Sequence, residues 1–295
     1  MAILQISNLT KKYGRITAVK DLSLTVNKGN IYGILGPNGS GKTTTLGVVT
    51  GIIHANEGEY SWFEGRESNN DARKKIGTLL ETPNFYPYMD AVKNLEIIAH
   101  IKKVKQPRID ELLELVNLSH RKKSKFKTYS LGMKQRLAIA GTLIGDPEVL
   151  IFDEPTNGLD PQGIAEVRNI IQNIAAMDKT ILMASHILDE VEKICSHVAI
   201  IKNGVLLAEG TVGSIINEDV TVEVGAADID GLKAAIHRID QIKSIEEANG
   251  NLHLSVSKDF NPAELNRLAF EKGIVLTHLV KRQKSLEAEF LEITK

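Results

Sequence analysis

The chain has 295 residues, 42% of them apolar and 25% charged, which gives core enough for one large or two modest domains. Its 36 Lys+Arg against 37 Asp+Glu leave a net charge of -1, which excludes both a global basic field for nucleic acid and the acidic excess of a disordered chain. A single cysteine, Cys195, excludes an intramolecular disulfide, and no apolar run approaches the roughly 18 residues that span a bilayer.

The opening Met-Ala-Ile-Leu-Gln-Ile-Ser lacks the basic-then-apolar order of a secretion signal, so none is expected, and a membrane role would have to come from a partner chain. Residues 3–9, 18–26 and 30–35 read as short strands, with Leu22, Leu24 and Val26 alternating as a one-sided strand does. Between the first two lies Lys11-Lys12-Tyr13-Gly14. A Tyr beside a Gly is ordinarily a packed turn residue, yet an aromatic face upstream of a phosphate site also suits a purine base.

The third strand runs into Gly36-Pro37-Asn38-Gly39-Ser40-Gly41-Lys42-Thr43, and a helical segment begins at Lys42 and extends to about residue 51. This is G-x-x-x-x-G-K-[ST] with a strand before it and a helix after it. Gly36, Gly39 and Gly41 are expected at φ > 0, turning successive N–H groups toward one anion. The helix adds its free N–H groups and positive dipole end. Lys42 has the reach for the β- and γ-phosphates, and the Thr43 hydroxyl is a Mg²⁺ ligand type. The alternative reading is a glycine turn between a strand and a helix.

Strands follow at 58–63 and 76–80, separated by a polar stretch, and residues 85–145 then read as helical almost throughout. Val92, Leu95, Ile98, Ala99 and Ile101 share helical spacing, as do Leu112, Leu113, Leu115 and Val116. The run Arg121-Lys122-Lys123-Ser124-Lys125 has no interleaved aromatics and reads as a solvated loop. Strands at 149–152 and 181–184 end in Asp153-Glu154 and Ser185-His186. Asp160 and Pro161 start a helix, and Asn203-Gly204 turns a hairpin between 198–201 and 205–208. Alternating strands and helices imply a largely parallel sheet with its ligand site at the strands' carboxyl ends, where Gly36, Asp153 and His186 fall. Cys195, among Val191, Ile194 and Val198, reads as a buried small hydrophobe.

After about residue 217 the order is strand, helix, strand, strand, helix, strand, helix, which suggests a small α+β ferredoxin-like domain over 218–295. His237, His253 and His278 look scattered within it, surface or structural.

Glu148-Val-Leu-Ile-Phe-Asp153-Glu154 is the second strong element. An apolar strand delivers two acids to its end, Asp153 suited to a Mg²⁺ shell and Glu154 to orienting an attacking water. Ser130-Leu131-Gly132-Met133-Lys134-Gln135-Arg136 opens a helix, with Ser130 a natural N-cap and the N–H groups of Leu131, Gly132 and Met133 available to a phosphate.

Together these elements, in this order, resemble the ATP-binding subunit of an ABC transporter over residues 2 to about 217. The resemblance implies the P-loop NTPase fold of ABC ATPases with a helical subdomain at about 85–145. It implies adenine stacking at Tyr13 and ATP held by residues 36–44, from Gly36 through Pro37, Asn38, Gly39, Ser40, Gly41, Lys42 and Thr43 to Thr44. Mg²⁺ would be bound at Thr43 and Asp153, with Glu154 catalytic and His186 the switch histidine at the γ-phosphate. Ser130 and Gly132 match the signature that contacts the opposite subunit's ATP, and Gly158-Leu159-Asp160 resembles the loop crossing the dimer interface. Tyr129, Leu131 and Met133 replace three of the five usual Leu-Ser-Gly-Gly-Gln residues, and Glu81 stands where a metal-linking glutamine is usual; a carboxylate is also a hard-cation ligand. The accessory domain and Tyr-Ser-Leu-Gly-Met-Lys-Gln-Arg look most like the bacitracin and lantibiotic type of drug exporter. The implied partners are a transmembrane permease and a second copy or paralogue, with no nucleic acid, at the cytoplasmic face of the membrane. A soluble ABC-type ATPase acting on a macromolecular assembly and a non-hydrolysing regulatory module are the alternatives. A long heptad insertion and a basic face are missing for the first, and Glu154 and His186 argue against the second.

Overall fold

The computed structural model describes residues 1–66, 69–80, 82–216, 220–237, 239, 241–248, 250–257, 259–283 and 285–294. Strands β1 (Ala2–Tyr13), β2 (Ile16–Asn27), β3 (Ile31–Leu35), β4 (Glu57–Trp62), β5 (Ile76–Leu79), β6 (Val149–Asp153), β7 (Thr180–Ser185), β8 (His197–Lys202) and β9 (Val205–Thr211) alternate with helices. These are α1 (Lys42–Val49), α2 (Asn69–Lys74), α3 (Ala91–Ile101), α4 (Ile109–Leu115), α5 (Leu131–Thr142), α6 (Pro161–Ala175), α7 (Leu188–Ile194) and the single turn α8 (Val212–Ile215). The chain divides into two compact units, Met1–Val212 and Gly213–Ile293. The boundary expected at residues 217–218 lies outside the described residues.

The first unit holds two sheets. One has the order β5-β6-β7-β3-β8-β9, parallel except for the last pair. β6 and β7 are buried at every position, because a parallel strand covered on both faces has no polar side to present. The other sheet is antiparallel, in the order β2-β1-β4. β1 and β2 run longer than expected, so Lys11, Lys12 and Tyr13 belong to strand β1, and the reversal is confined to Gly14 and Arg15. The polar stretch after β4 is in part helix α2.

Between β5 and β6, strands adjacent in the sheet, the chain makes the long helical excursion. It is less continuously helical than its apolar spacing predicts. Residues 82–90 form an irregular segment held by buried Asn94, whose side chain accepts from the Tyr86 N–H (2.8 Å) and donates to the Asp90 carbonyl (3.0 Å). Satisfying those backbone groups replaces the hydrogen bonds a helix would supply. Ile101, expected on the apolar face, is 73% exposed in the last turn of α3. Lys122 of the basic run pairs with Asp110 at 2.8 Å.

The second unit comprises β10 (Val220–Ala226), α9 (Ile229–Ile236), β11 (Ile242–Ala248), β12 (Asn251–Val256), α10 (Pro262–Glu271), β13 (Leu276–Gln283) and α11 (Leu286–Ile293). Its antiparallel sheet has the order β11-β12-β10-β13. Val220, Val222, Val224, Leu252, Leu254 and Val256 turn one face toward Leu232, Ile236, Leu265 and Ala269 of the helices, the two-residue period of a half-covered sheet. On the other face His253 and His278 are not scattered. Both approach Glu223, His278 Nε2 at 3.3 Å and His253 Nδ1 at 4.0 Å, and Arg282 Nε joins them at 2.9 Å. Strand pairing causes this, since Glu223 lies opposite His253 in the register.

Candidate active site

Register places the predicted acids and histidine in neighbouring rows. Asp153 and Ile34 both align with Ala184, and Leu35 aligns with Ser185, so Gly36, Glu154 and His186 leave the carboxyl edge of β3, β6 and β7 side by side. At Glu154 the backbone turns to φ 50°, a left-handed conformation unusual for a residue with a side chain. Its N–H still donates to the Ala184 carbonyl at 3.0 Å, which holds the turn in place.

The phosphate-type loop departs from expectation at one glycine. Gly39 (φ 79°) and Gly41 (φ 107°) are left-handed, but Gly36 is not. Gly36 is required for space, because a Cβ there would lie 2.2 Å from the Ile201 carbonyl oxygen and 2.3 Å from Ser40 Oγ. The hairpin turn between β8 and β9 clamps the loop from outside, with the Gly204 N–H donating to the Ser40 carbonyl at 2.9 Å. Helix α1 follows Gly41 as its N-cap residue, with no side-chain cap and no acid in its first turn. Its orphan N–H groups and positive dipole end are therefore left for an anion. Within the loop Pro37, Asn38 and Gly39 are exposed and Ser40 is buried; Thr43 is exposed and Thr44 half-buried at the start of α1.

Lys42 is almost fully buried and folds back into the loop. Its Nζ donates to the Gly36 carbonyl (2.8 Å) and the Pro37 carbonyl (3.3 Å) and lies 3.4 Å from Glu154 Oε1. The other carboxylate oxygen of Glu154 is 2.7 Å from His186 Nδ1 and accepts from the His186 N–H at 3.3 Å. Lys42, Glu154 and His186 thus form one chain of charge-assisted contacts across three strand ends. A cavity of about 360 Å³ opens beside them, lined by Thr43, Asp153 and Glu154 with Thr82, Gln135 and Asn157. The hydroxyl of Thr43 and the carboxylate of Asp153 are hard oxygen donors on one wall, a set that fits Mg²⁺ completed by phosphate oxygens and water. Glu81 lies outside the described residues.

Ser130 caps α5 as expected, its Oγ accepting from the Met133 N–H at 3.3 Å. This corrects one expectation: the Met133 N–H is already engaged, leaving those of Leu131 and Gly132. Ser130 and Gly132 line a different cavity, of about 450 Å³, with Arg136, Gly158, Asp160 and Glu166. Among the described residues the two cavities share only Leu131. Asp160 caps α6 by accepting from the Gly163 N–H at 2.8 Å. Tyr13 stands at the end of β1, 47% exposed, and lines neither cavity. Cys195 is buried as expected, and burial pushes its thiol pKa up, away from reactivity.

Sequence reading missed Gln135 and Asn157 as lining residues, and the clamp at Gly204. Gln135 lies one helical turn after Leu131, so helical spacing from the capped Ser130 was the available signal. The clamp joins residues distant in sequence and left no local signal.

A family model described as ABC transporter matches residues 19–157. The chain is 38% identical to the uncharacterized ABC transporter ATP-binding protein YdbJ of Bacillus subtilis (strain 168), over 99% of this chain and 95% of that protein. It is 37% identical to the bacitracin transport ATP-binding protein BcrA of Bacillus licheniformis, over 99% of this chain and 97% of the relative. The dimeric post-hydrolysis structure of the ATP-binding cassette MJ0796, bound to ADP and Pi, superposes with a TM-score of 0.63 and 25% identity, covering 71% of this chain and 98% of that one.

Proposed function

The chain belongs to the family of ABC transporter ATP-binding proteins, and from that membership we propose that it is the ATP-hydrolysing subunit of an exporter of drugs, peptides or lipids. The observation that carries the hydrolytic part is the Lys42–Glu154–His186 chain beside the uncapped start of α1. The export part draws on the likeness to a bacitracin transport protein over nearly the whole chain.

ATP phosphates displace the Gly36 and Pro37 carbonyls from the Lys42 ammonium and take the free N–H groups at the start of α1. Thr43 and Asp153 would hold Mg²⁺, whose chemistry here is to neutralise charge on the β- and γ-phosphate oxygens. Glu154 accepts a hydrogen bond from the attacking water and aligns it with the γ-phosphorus. His186 keeps the Glu154 carboxylate oriented and follows the γ-phosphate. Tyr13 stacks on the adenine.

Two copies, or this chain and a paralogue, close head to tail, each bringing Ser130 and Gly132 to the other's ATP. Gly132 supports this reading. Outside its chain neighbours and the backbone of its own helix, a Cβ there would meet nothing among the described residues closer than 3.9 Å, so packing against them does not call for a glycine. Closure excludes water and completes the site, and reopening after hydrolysis moves a separate membrane permease. No helix among the described residues is long and apolar enough to cross a membrane, so attachment at the cytoplasmic face would run through that permease.

Lys42→Ala is expected to lose ATP hydrolysis. Glu154→Gln is expected to bind ATP without turnover and to sediment as a dimer with ATP and a monomer without it. A Glu154→Gln protein that stays monomeric at high concentration with ATP would refute head-to-tail closure. Co-purification of a polytopic membrane chain from the native source tests the permease.

A further inference from the structure

The Tyr13 ring carries a cation. Lys11 and Tyr13 are two residues apart on β1, so their side chains leave the same face of the sheet. The Lys11 ammonium lies over the ring, 5.0 Å from its centroid. It is not a free lysine swinging in solvent, because Nζ also donates to the His54 carbonyl at 2.7 Å.

His54 sits in the segment that leaves α1, and that segment is tied at both ends. The N–H groups of Ile52 and Ile53 donate to the Gly47 carbonyl inside α1, at 3.0 and 2.9 Å. At the far end the Asn56 N–H donates to the Thr10 carbonyl and the Asn56 side chain accepts from the Lys12 N–H, both at 2.8 Å. The phosphate helix is thereby connected, through His54 and Lys11, to the Tyr13 ring.

We propose that Lys11 is a positioning residue for nucleotide binding: anchored on the His54 carbonyl, its ammonium holds one face of the Tyr13 ring and presents the other to the adenine. The proposal rests on the reading of Tyr13 as the base-stacking residue. The ammonium does two things for a half-exposed ring. It restricts the ring's orientation, which lowers the ordering cost when a base stacks. It also draws on the ring's electron density, which favours stacking with an electron-rich purine on the open face. Because the anchor belongs to the segment after α1, one element sets both the phosphate cradle and the base shelf.

The test compares binding of ATP and of inorganic triphosphate, which has no base, to the full-length chain and its Tyr13→Ala, Lys11→Met, Lys11→Arg and Lys11→Met/Tyr13→Ala variants. Tyr13→Ala is expected to weaken ATP about tenfold, within the range of one base–aromatic stack, and to leave triphosphate unchanged. Lys11→Met is expected to weaken ATP about threefold, the worth of an exposed cation–ring contact, again without affecting triphosphate. Lys11→Arg restores ATP affinity, and Lys11→Met adds nothing once Tyr13 is alanine. If Tyr13→Ala weakens ATP while Lys11→Met does not, the stacking reading stands and the role of Lys11 is overturned. If Tyr13→Ala leaves ATP affinity intact, the stacking reading falls and this proposal with it. Equal loss of ATP and triphosphate in Lys11→Met would assign Lys11 to the charge or fold of the site and also overturn the proposal.

Discussion

Gly36→Ala tests whether the loop's first glycine serves space or conformation. The new methyl would lie 2.2 Å from the Ile201 carbonyl oxygen, where a relaxed carbon–oxygen contact is about 3.3 Å. Ser40 Oγ, 2.3 Å away, has the option of rotating, but the Ile201 carbonyl is backbone of β8, held by its pairing with β9. The loop must therefore retreat by about 1 Å. Forcing a methyl into a closed site costs about 1–3 kcal/mol of stability, and a 1 Å misplacement near reacting groups costs about 10²-fold in rate. Gly39→Asn is the control. Gly39 has φ 79° with nothing within 4 Å of a built Cβ, and Asn tolerates the left-handed region, so the expected loss is at most about 1 kcal/mol. Thermal denaturation compares the stability of the two variants, and steady-state hydrolysis of ATP is measured for Gly36→Ala. Hydrolysis by Gly36→Ala within twofold of the parent, or a loss of stability in Gly39→Asn as large as that in Gly36→Ala, would refute the steric account.

Ser130→Ala removes the acceptor of the Met133 N–H and is expected to lower stability by about 1 kcal/mol in chemical denaturation, and to slow ATP hydrolysis by more than that loss of folded protein explains. Arg136→Lys deprives the Val116 and Asn117 carbonyls, each 3.2 Å from Nη1, of their shared donor while keeping a charge near Glu166; a loss of about 1–2 kcal/mol in the urea midpoint is expected. In the second unit the His278 hydrogen bond, with Arg282 and His253 beside it, holds the Glu223 carboxyl below its ordinary 4.5. A depressed folded-state pKa gives stability that is fully present above the unfolded value and is lost as pH falls through the folded one. Unfolding midpoints of the second unit should therefore fall below about pH 4.5, and Glu223→Gln should flatten that acid limb.

The sequence by itself determined the elements whose signals are local. Three of them are the strand–glycine loop–helix at Gly36 to Thr43, the two acids ending an apolar strand, and the Ser130 and Asp160 caps. Each rests on a residue type needed within a few positions of its neighbours, by dihedral preference, by helix-terminus hydrogen bonding or by strand burial. Parallel topology was legible for a related reason, since strands and helices alternate in the chain, and it put Gly36, Asp153 and His186 at one edge. Tertiary structure decided what depends on residues far apart in sequence. It showed that Gly36 makes room for Ile201, and that Glu154 takes Lys42 on one oxygen and His186 on the other. The gathering of His253 and His278 at Glu223 was likewise invisible until register set strand beside strand. A sequence states which side chains an element offers, and only the packing of elements from distant parts of the chain states which of them meet.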